Sequence, residues 1–168
     1  MKMKIQDTGK WVFALFIFAL MPCFVHAQNR QAERERKKEV IQNKIQTQRF
    51  IFNARQVIPI RGRSRNVTTD NYDLKITPDT VIAYLPYFGR AYVAPMDPSK
   101  GGIQFTSTKF QYSKAVAKKG GWNIVIRPED VSDVRQLSLS ISSDGYASLQ
   151  VISNHRDPIS FNGVIGEK

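Results

Sequence analysis

From Phe50 onward the chain is a succession of short alternating segments, each closed by Gly, Pro, Asn or Asp. "RFIFNARQVIPI" is followed by "YDLKIT", "TVIAYLPY", "GGIQFTS", "FQYSKAVA", "GWNIVIRP", "RQLSLSIS", "YASLQVIS" and "PISFNGVI". Successive side chains of a strand point to opposite faces, so each segment can bury one row and wet the other. Eight to nine short strands separated by turn signals predict a mainly β fold, an antiparallel meander closed on itself as a barrel or a sandwich.

Cross-strand partners must share a face, which lets hairpin registers be worked out. In "RQLSLSISSDGYASLQVIS", Leu137, Leu139 and Ile141 make one inward row and Ala147, Leu149 and Val151 the other. A two-residue Asp144-Gly145 turn would set apolar against polar. A three-residue Ser143-Asp144-Gly145 loop pairs Ile141 with Ala147, Leu139 with Leu149 and Leu137 with Val151. The sequence therefore predicts a type I turn with Gly145 left-handed. The same reasoning on "SKAVAKKGGWNIVI" predicts a Lys119-Gly120-Gly121 loop that matches Val116 with Ile124.

The opposite end of the chain has a different grammar. Lys2, Lys4 and Lys10 precede an apolar run from Trp11 to Val25, and Val25-His26-Ala27 offers the small residues of a cleavage point, so residues 1–27 read as a secretory leader. A membrane span fits less well, because the run is about 15 residues where roughly 20 are needed, and Pro22 interrupts it. Lipid attachment at Cys23 fits poorly with Met21 and Pro22 ahead of it. The mature chain is expected to start at Gln28, to be exported to the periplasm or secreted, and to carry no transmembrane segment.

Residues 28–49 form a charged lead-in. No Gly or Pro occurs between Arg30 and Gln48, Glu33 and Lys37 are an i,i+4 pair, and the apolar content is confined to Ala32, Val40, Ile41 and Ile45. One helix is predicted there, docking only its last two turns, with "RQAERERKKE" solvated. Residues 50–168 are the single β domain.

Charge is concentrated near the start. The whole chain carries +11; removing the leader's net +2 leaves +9, of which +8 lies between Gln28 and Asn66. Within that stretch Arg61, Arg63 and Arg65 are spaced by two and share one face if the chain is extended. For an exported protein the anionic partners to expect are lipids or polysaccharides of the envelope rather than nucleic acid.

"LPYFGRAYVAP" is the densest run in the sequence. Val81, Ala83 and Leu85 fall on one face of the preceding strand and Ile82 and Tyr84 on the other, which predicts a strand covered on both faces. Pro86 lacks an N–H and ends the ladder, and Tyr87, Phe88 and Tyr92 then fold over an open end of the sheet. Arg90 either binds an anion or stacks on those rings. The run serves as a structural fold-over in one reading and as a ligand-binding loop of Tyr87, Phe88, Arg90 and Tyr92 in the other.

"YLPYFGRAYVAP", "GGIQF", "GWNIVI" and "DGYASLQVISNHRDPISFNGVI" together resemble the exported bacterial family known only as domain of unknown function 4251. The resemblance spans roughly Phe50 to Ile165 and is most specific at "LPYFGRAY". It implies export from a Gram-negative cell and one compact domain, and it carries no catalytic residue onto these positions.

Candidate chemistries then rest on the residues alone. Cys23 is the only cysteine and His26 lies in the leader, leaving His155 as the one imidazole of the mature chain. Disulfides, thiolate nucleophiles and multi-histidine zinc sites are excluded within one mature chain. Ser153, His155 and Asp157 sit together in "SNHRDP", but neighbours in a turn do not converge as a triad, and the stretch reads as a hairpin connection. Asp70, Asp73, Glu129, Asp130 and Asp133 show no spacing that selects a glycosidase pair. No catalytic residue, metal site or cofactor is expected. The expected function is a non-enzymatic binding or interaction module for an anionic envelope component; the alternative is a barrel carrying a small apolar ligand. The sequence is silent on oligomeric state.

Overall fold

The alternating pattern from Phe50 onward folds as the segments indicate. The structure, a computed structural model, describes residues 21–92, 101–117 and 120–166, with side chains from residue 31 onward. The expected leader therefore lies largely outside the described residues, as does Lys119 of the expected loop.

One described helix, α1 (Met21–Gln46), precedes ten strands: β1 (Phe50–Pro59), β2 (Arg65–Asn66), β3 (Asp73–Ile76), β4 (Val81–Leu85), β5 (Ile103–Ser107), β6 (Phe110–Val116), β7 (Trp122–Pro128), β8 (Val134–Ile141), β9 (Tyr146–Ser153) and β10 (Ile159–Gly166). No helix among the described residues is long and apolar enough to cross a membrane. The chain divides into two units at Lys37/Lys38. In the first, the helix is exposed from Gln31 to Lys37 and carries the Glu33–Lys37 ion pair, at 3.0 Å. In the second, the final turns of α1 bury Ile41 and Ile45 in the core while Val40 stays half exposed.

Nine strands run antiparallel in the order β5-β4-β3-β1-β10-β9-β8-β7-β6 and roll into a nearly closed barrel, with short β2 added to β1. The barrel alternative of the sequence reading is thus the one realised. Inward positions carry large buried side chains, among them Phe52, Leu74, Leu85, Ile124, Ile126, Leu137, Leu139, Leu149 and Phe161. The loose alternation of "RFIFNARQVIP" has a cause in the ladder: a bulge between Ala54 and Gln56 switches the buried set from Phe50, Phe52 and Ala54 to Val57 and Pro59.

The β8–β9 register is the expected one, Ile141 with Ala147, Leu139 with Leu149 and Leu137 with Val151, and Gly145 has a φ of 83°. The β6–β7 register differs from expectation. Val116 pairs with Trp122, and Ile124 lies opposite Lys114. A three-residue bulged loop wants its left-handed residue last, and that residue is Gly120, with a φ of 78°, so Gly121 is already in the ladder opposite Ala117.

A second expectation fails at β4. Val81, Ala83 and Leu85 are buried, but Ile82 and Tyr84 are 38% and 46% exposed. The outer face of β4 is sheltered locally: Tyr84 meets the Tyr72 ring at 5.4 Å, and Ile82 lies across from Lys75 and Thr106. Helix burial is spent elsewhere, with Ile41 against the β8–β9 turn at Gly145.

Candidate functional site

Pro86 ends β4, and the residues after it cross the rim of the barrel. Ala91 forms an antiparallel bridge with Arg156. Tyr92 N donates to His155 O at 2.8 Å and Asp157 N donates to Arg90 O at 3.0 Å. The rim run and the β9–β10 connection are therefore zipped together by backbone. "SNHRDP" is more than a plain hairpin connection.

Side chains reinforce the zip. Tyr87 and Phe88 are partly buried against the core, which fits the fold-over reading. The Tyr87 hydroxyl sits 2.8 Å from Arg90 O and 3.1 Å from Asp157 O and shares its one proton between these two carbonyls. Burial, then the nearby Asp157 carboxylate, hold its pKa above the ordinary tyrosine value. Tyr92 is largely exposed and donates its hydroxyl to Asp157 Oδ1, a bond that raises its pKa.

The central side chain is one that sequence reasoning did not select. Arg156, only 11% exposed, donates through Nη1 to the carbonyls of Gly101 and Gly102, both at 3.0 Å, and pairs through Nη2 with Asp133 Oδ2 at 3.3 Å. Its guanidinium also stands 5.2 Å from the Tyr87 ring centre. Four residues from three segments converge on one planar cation, which a compact lysine head could not serve. Nothing in the local sequence distinguishes Arg156 from other loop arginines.

The ring stacking that is one of the two readings of Arg90 is made by two other cations. Arg65, in β2, places its guanidinium 4.4 Å from the Phe88 ring centre, and Arg156 takes Tyr87. Arg90 is exposed, and its backbone rather than its side chain makes the rim contacts. The chain bends at residues 60–62, so Arg61, Arg63 and Arg65 do not form one extended row. Arg61 nonetheless comes near Tyr92, where its charge and that of Arg90 act on the hydroxyl. Arg63 is exposed in the same loop. Parts of the two candidate groups come near one another: Arg65 stands over Phe88, and Arg61 and Arg90 are close enough to Tyr92 for their charge to act on its hydroxyl. Asp157 accepts from Tyr92 and Asp133 pairs with Arg156, while Arg61, Arg65 and Arg90 bring positive charge beside the aromatic faces.

The carboxylates considered for catalysis have structural partners. Asp130 Oδ1 accepts from Ser107 Oγ at 2.5 Å, and Oδ2 accepts from the backbone N–H of Thr108 at 2.8 Å and of Lys109 at 3.1 Å. These bonds, the Ser107 hydroxyl foremost, depress its pKa to about 2. No group of three His, Cys, Asp or Glu among the described residues is placed to hold a metal. Two concavities open to solvent lie away from the rim. One, of about 270 Å³, is bordered by Lys44, Arg49, Phe50 and Lys75; the other, of about 560 Å³, is bordered by Ser140, Ser142, Ser148 and Asn162.

No curated relative matches the chain. Among solved structures it is similar to the crystal structure of a DUF4251 family protein from Bacteroides eggerthii DSM 20697, with a TM-score of 0.60 and 17% identity over 77% of this chain and 86% of that one. At that identity the likeness concerns the fold. The model of the family described as Domain of unknown function (DUF4251) matches residues 32–165, which covers the buried end of α1, the barrel and the aromatic rim, and the chain belongs to that family.

Proposed function

We propose that the protein is an exported, non-enzymatic interaction module whose aromatic and arginine rim meets an anionic component of the cell envelope, a lipid headgroup or an acidic polysaccharide. The observation that carries this reading is Arg65 over Phe88, with Arg61 and Arg90 near Tyr92, on a run tied down by Arg156. Guanidinium groups bind carboxylates and phosphates through paired donors, and aromatic faces accept sugar rings or acyl edges. The tie matters because a preorganised rim loses less entropy on binding. The alternative, a carrier of a small apolar ligand, requires an empty lumen, whereas the inward rows here hold Phe52, Phe161 and a full set of Leu and Ile. Export is part of the proposal and rests on the leader-like residues 1–27.

The test is co-sedimentation with vesicles containing anionic lipid, with lipopolysaccharide and with an acidic polysaccharide, at low and physiological salt. Binding should weaken steeply with salt and fall about tenfold or more when Arg61, Arg65 and Arg90 are changed to Ser. Equal binding by wild type and variant would overturn the rim assignment. The intact mass of protein from the native cell should correspond to a chain beginning at Gln28.

A further inference from the structure

The barrel is not closed between β5 and β6, which stand at the two ends of the sheet. Their connecting turn is held by Asp130, which takes up the N–H groups of Thr108 and Lys109 at the base of the opening. Above that base β6 runs from Phe110 to Val116 with β7 on one side and, among the described residues, no strand on the other.

Ladder parity identifies which backbone groups face the opening. Glu129 N donates to Lys109 O and Ala117 N donates to Gly121 O, both at 2.8 Å, and the register between these points is unbroken. In an antiparallel pair only alternate residues bond to a given neighbour. The odd-numbered residues from 109 to 117 therefore serve β7, and the N–H and C=O groups of Tyr112, Lys114 and Val116 point to the open side.

Exposed edges are ordinarily blunted by proline, bulges, very short length or inward charge. This edge has seven residues, no proline and no bulge; the one protective feature is Lys114, exposed on the core-facing row opposite Ile124. Val116 is 80% exposed beside Trp122. The same strand carries Tyr112. Its ring is only partly buried, yet its hydroxyl oxygen is fully buried and has no hydrogen-bond partner among the described residues. A buried donor without an acceptor is costly and rare in native proteins. Burial also pushes the Tyr112 pKa up to about 12, so the group remains a donor at any physiological pH.

We infer that the open edge of β6 is a strand-addition site for an extended polypeptide segment with acidic side chains, hydrogen-bonded to the outward backbone groups of Tyr112, Lys114 and Val116. Main-chain pairing supplies affinity in this mode and alternate side chains supply selectivity. An acidic residue of the incoming strand neutralises Lys114, away from the base where Asp130 and Glu129 already balance Lys109. A second copy of this chain is a poor occupant, because antiparallel pairing of two β6 edges would bring Lys114 of each copy toward the other.

The test selects random twelve-residue displayed peptides on the purified protein, with counter-selection on Val116→Pro. Proline at 116 removes an N–H that faces the opening and leaves the β7 ladder intact, and circular dichroism checks the fold. The expected peptides have alternating apolar and polar residues with Asp or Glu, bind at least tenfold more weakly to Val116→Pro, and lose binding when their own alternate amides are N-methylated. Lys114→Glu should shift the preference to basic peptides. The inference is overturned if no peptide sensitive to Val116→Pro emerges, if N-methylation has no effect, or if the wild-type protein is a dimer that Val116→Pro dissociates. None of these outcomes involves the arginine rim, so the two readings fail separately.

Discussion

Gly145, in the β8–β9 turn, and Ile41, in the last turns of α1, are in direct contact: a Cβ on Gly145 would stand 3.0 Å from Ile41 Cδ1. The same glycine has a φ of 83° and accepts a 2.7 Å hydrogen bond from Ile165 N through its carbonyl. One small residue thus lets the turn close, the helix dock and β10 tie in. Gly145→Val should destabilise by about 2 kcal/mol or more, combining left-handed strain with crowding of Ile41. Ile41→Ala in the same chain should recover part of the loss, since it relieves the crowding and leaves the strain. Unfolding midpoints of the two single variants and the double variant measure the split. Strict additivity would mean that the helix does not seat on this turn.

The β8–β9 hairpin also shows why some of the fold was legible in advance and some was not. Its two candidate turns differ by one residue, so one of them sets apolar rows against polar rows, and the pattern decides. At β6–β7 the two candidates differ by two residues and keep every side chain on the same face. Hydrophobic alternation cannot separate them; the place of the left-handed glycine does, and Gly120 rather than Gly121 holds it. At β4 the apolar Ile82 and Tyr84 suggested a second covered face, but apolar residues on a barrel exterior need only local company, here Lys75 and Tyr72. The aromatic rim was visible as a dense run, while its organiser, Arg156, was not. What marks Arg156 is convergence in space of Gly101, Gly102, Asp133 and Tyr87, and sequence carries no trace of that.

Truncations at the rim should follow burial and partners rather than proximity to the aromatic run. Leu85 is fully buried, so Leu85→Ala should cost about 2 to 5 kcal/mol. Arg156→Ala leaves the carbonyls of Gly101 and Gly102 and the Asp133 carboxylate without their shared donor and should cost about 2 kcal/mol. Arg90→Ala removes an exposed side chain whose backbone carries the contacts, and should change stability by less than about 0.5 kcal/mol. Denaturant midpoints give the order. If Arg90→Ala proved worse than Arg156→Ala, the rim would be organised around the wrong arginine.

Asp130 makes the β5–β6 turn sensitive to acid. Its carboxylate is bonded to Ser107, Thr108 and Lys109, and its folded pKa is depressed to about 2 from an ordinary 3.8. A depressed folded pKa contributes stability that is fully present above the unfolded value and disappears as pH falls through the folded one. The contribution should therefore be intact above about pH 4 and gone by about pH 2. Asp130→Asn should be less stable than wild type at neutral pH and should lose less on acidification across that window. Denaturation midpoints at several pH values compare the two slopes. Parallel curves would mean that Asp130 keeps its ordinary pKa and the turn does not depend on its charge.

The lead-in helix should be dispensable in its first part and required in its last. From Gln31 to Lys37 it is exposed, whereas Ile41 and Ile45 are 7% and 0% exposed in the core. Burying an isoleucine contributes about 1.5 to 3 kcal/mol, and the exposed i,i+4 ion pair adds little. A chain starting at Lys38 should therefore unfold at nearly the same denaturant concentration as one starting at Gln28. One starting at Phe50 should lose about 3 kcal/mol or more, because two core positions go and the surface around Gly145 is uncovered. The comparison also separates charge from stability, since the chain from Lys38 lacks Arg30, Arg34, Arg36 and Lys37 yet keeps its core. If that chain still binds anionic vesicles as the longer one does, the binding belongs to cations after Lys37, and the rim variant separates the arginines there from Lys44, Arg49 and Lys75. If the chain from Phe50 is as stable as the chain from Lys38, Ile41 and Ile45 contribute no core, and the helix is only a tether.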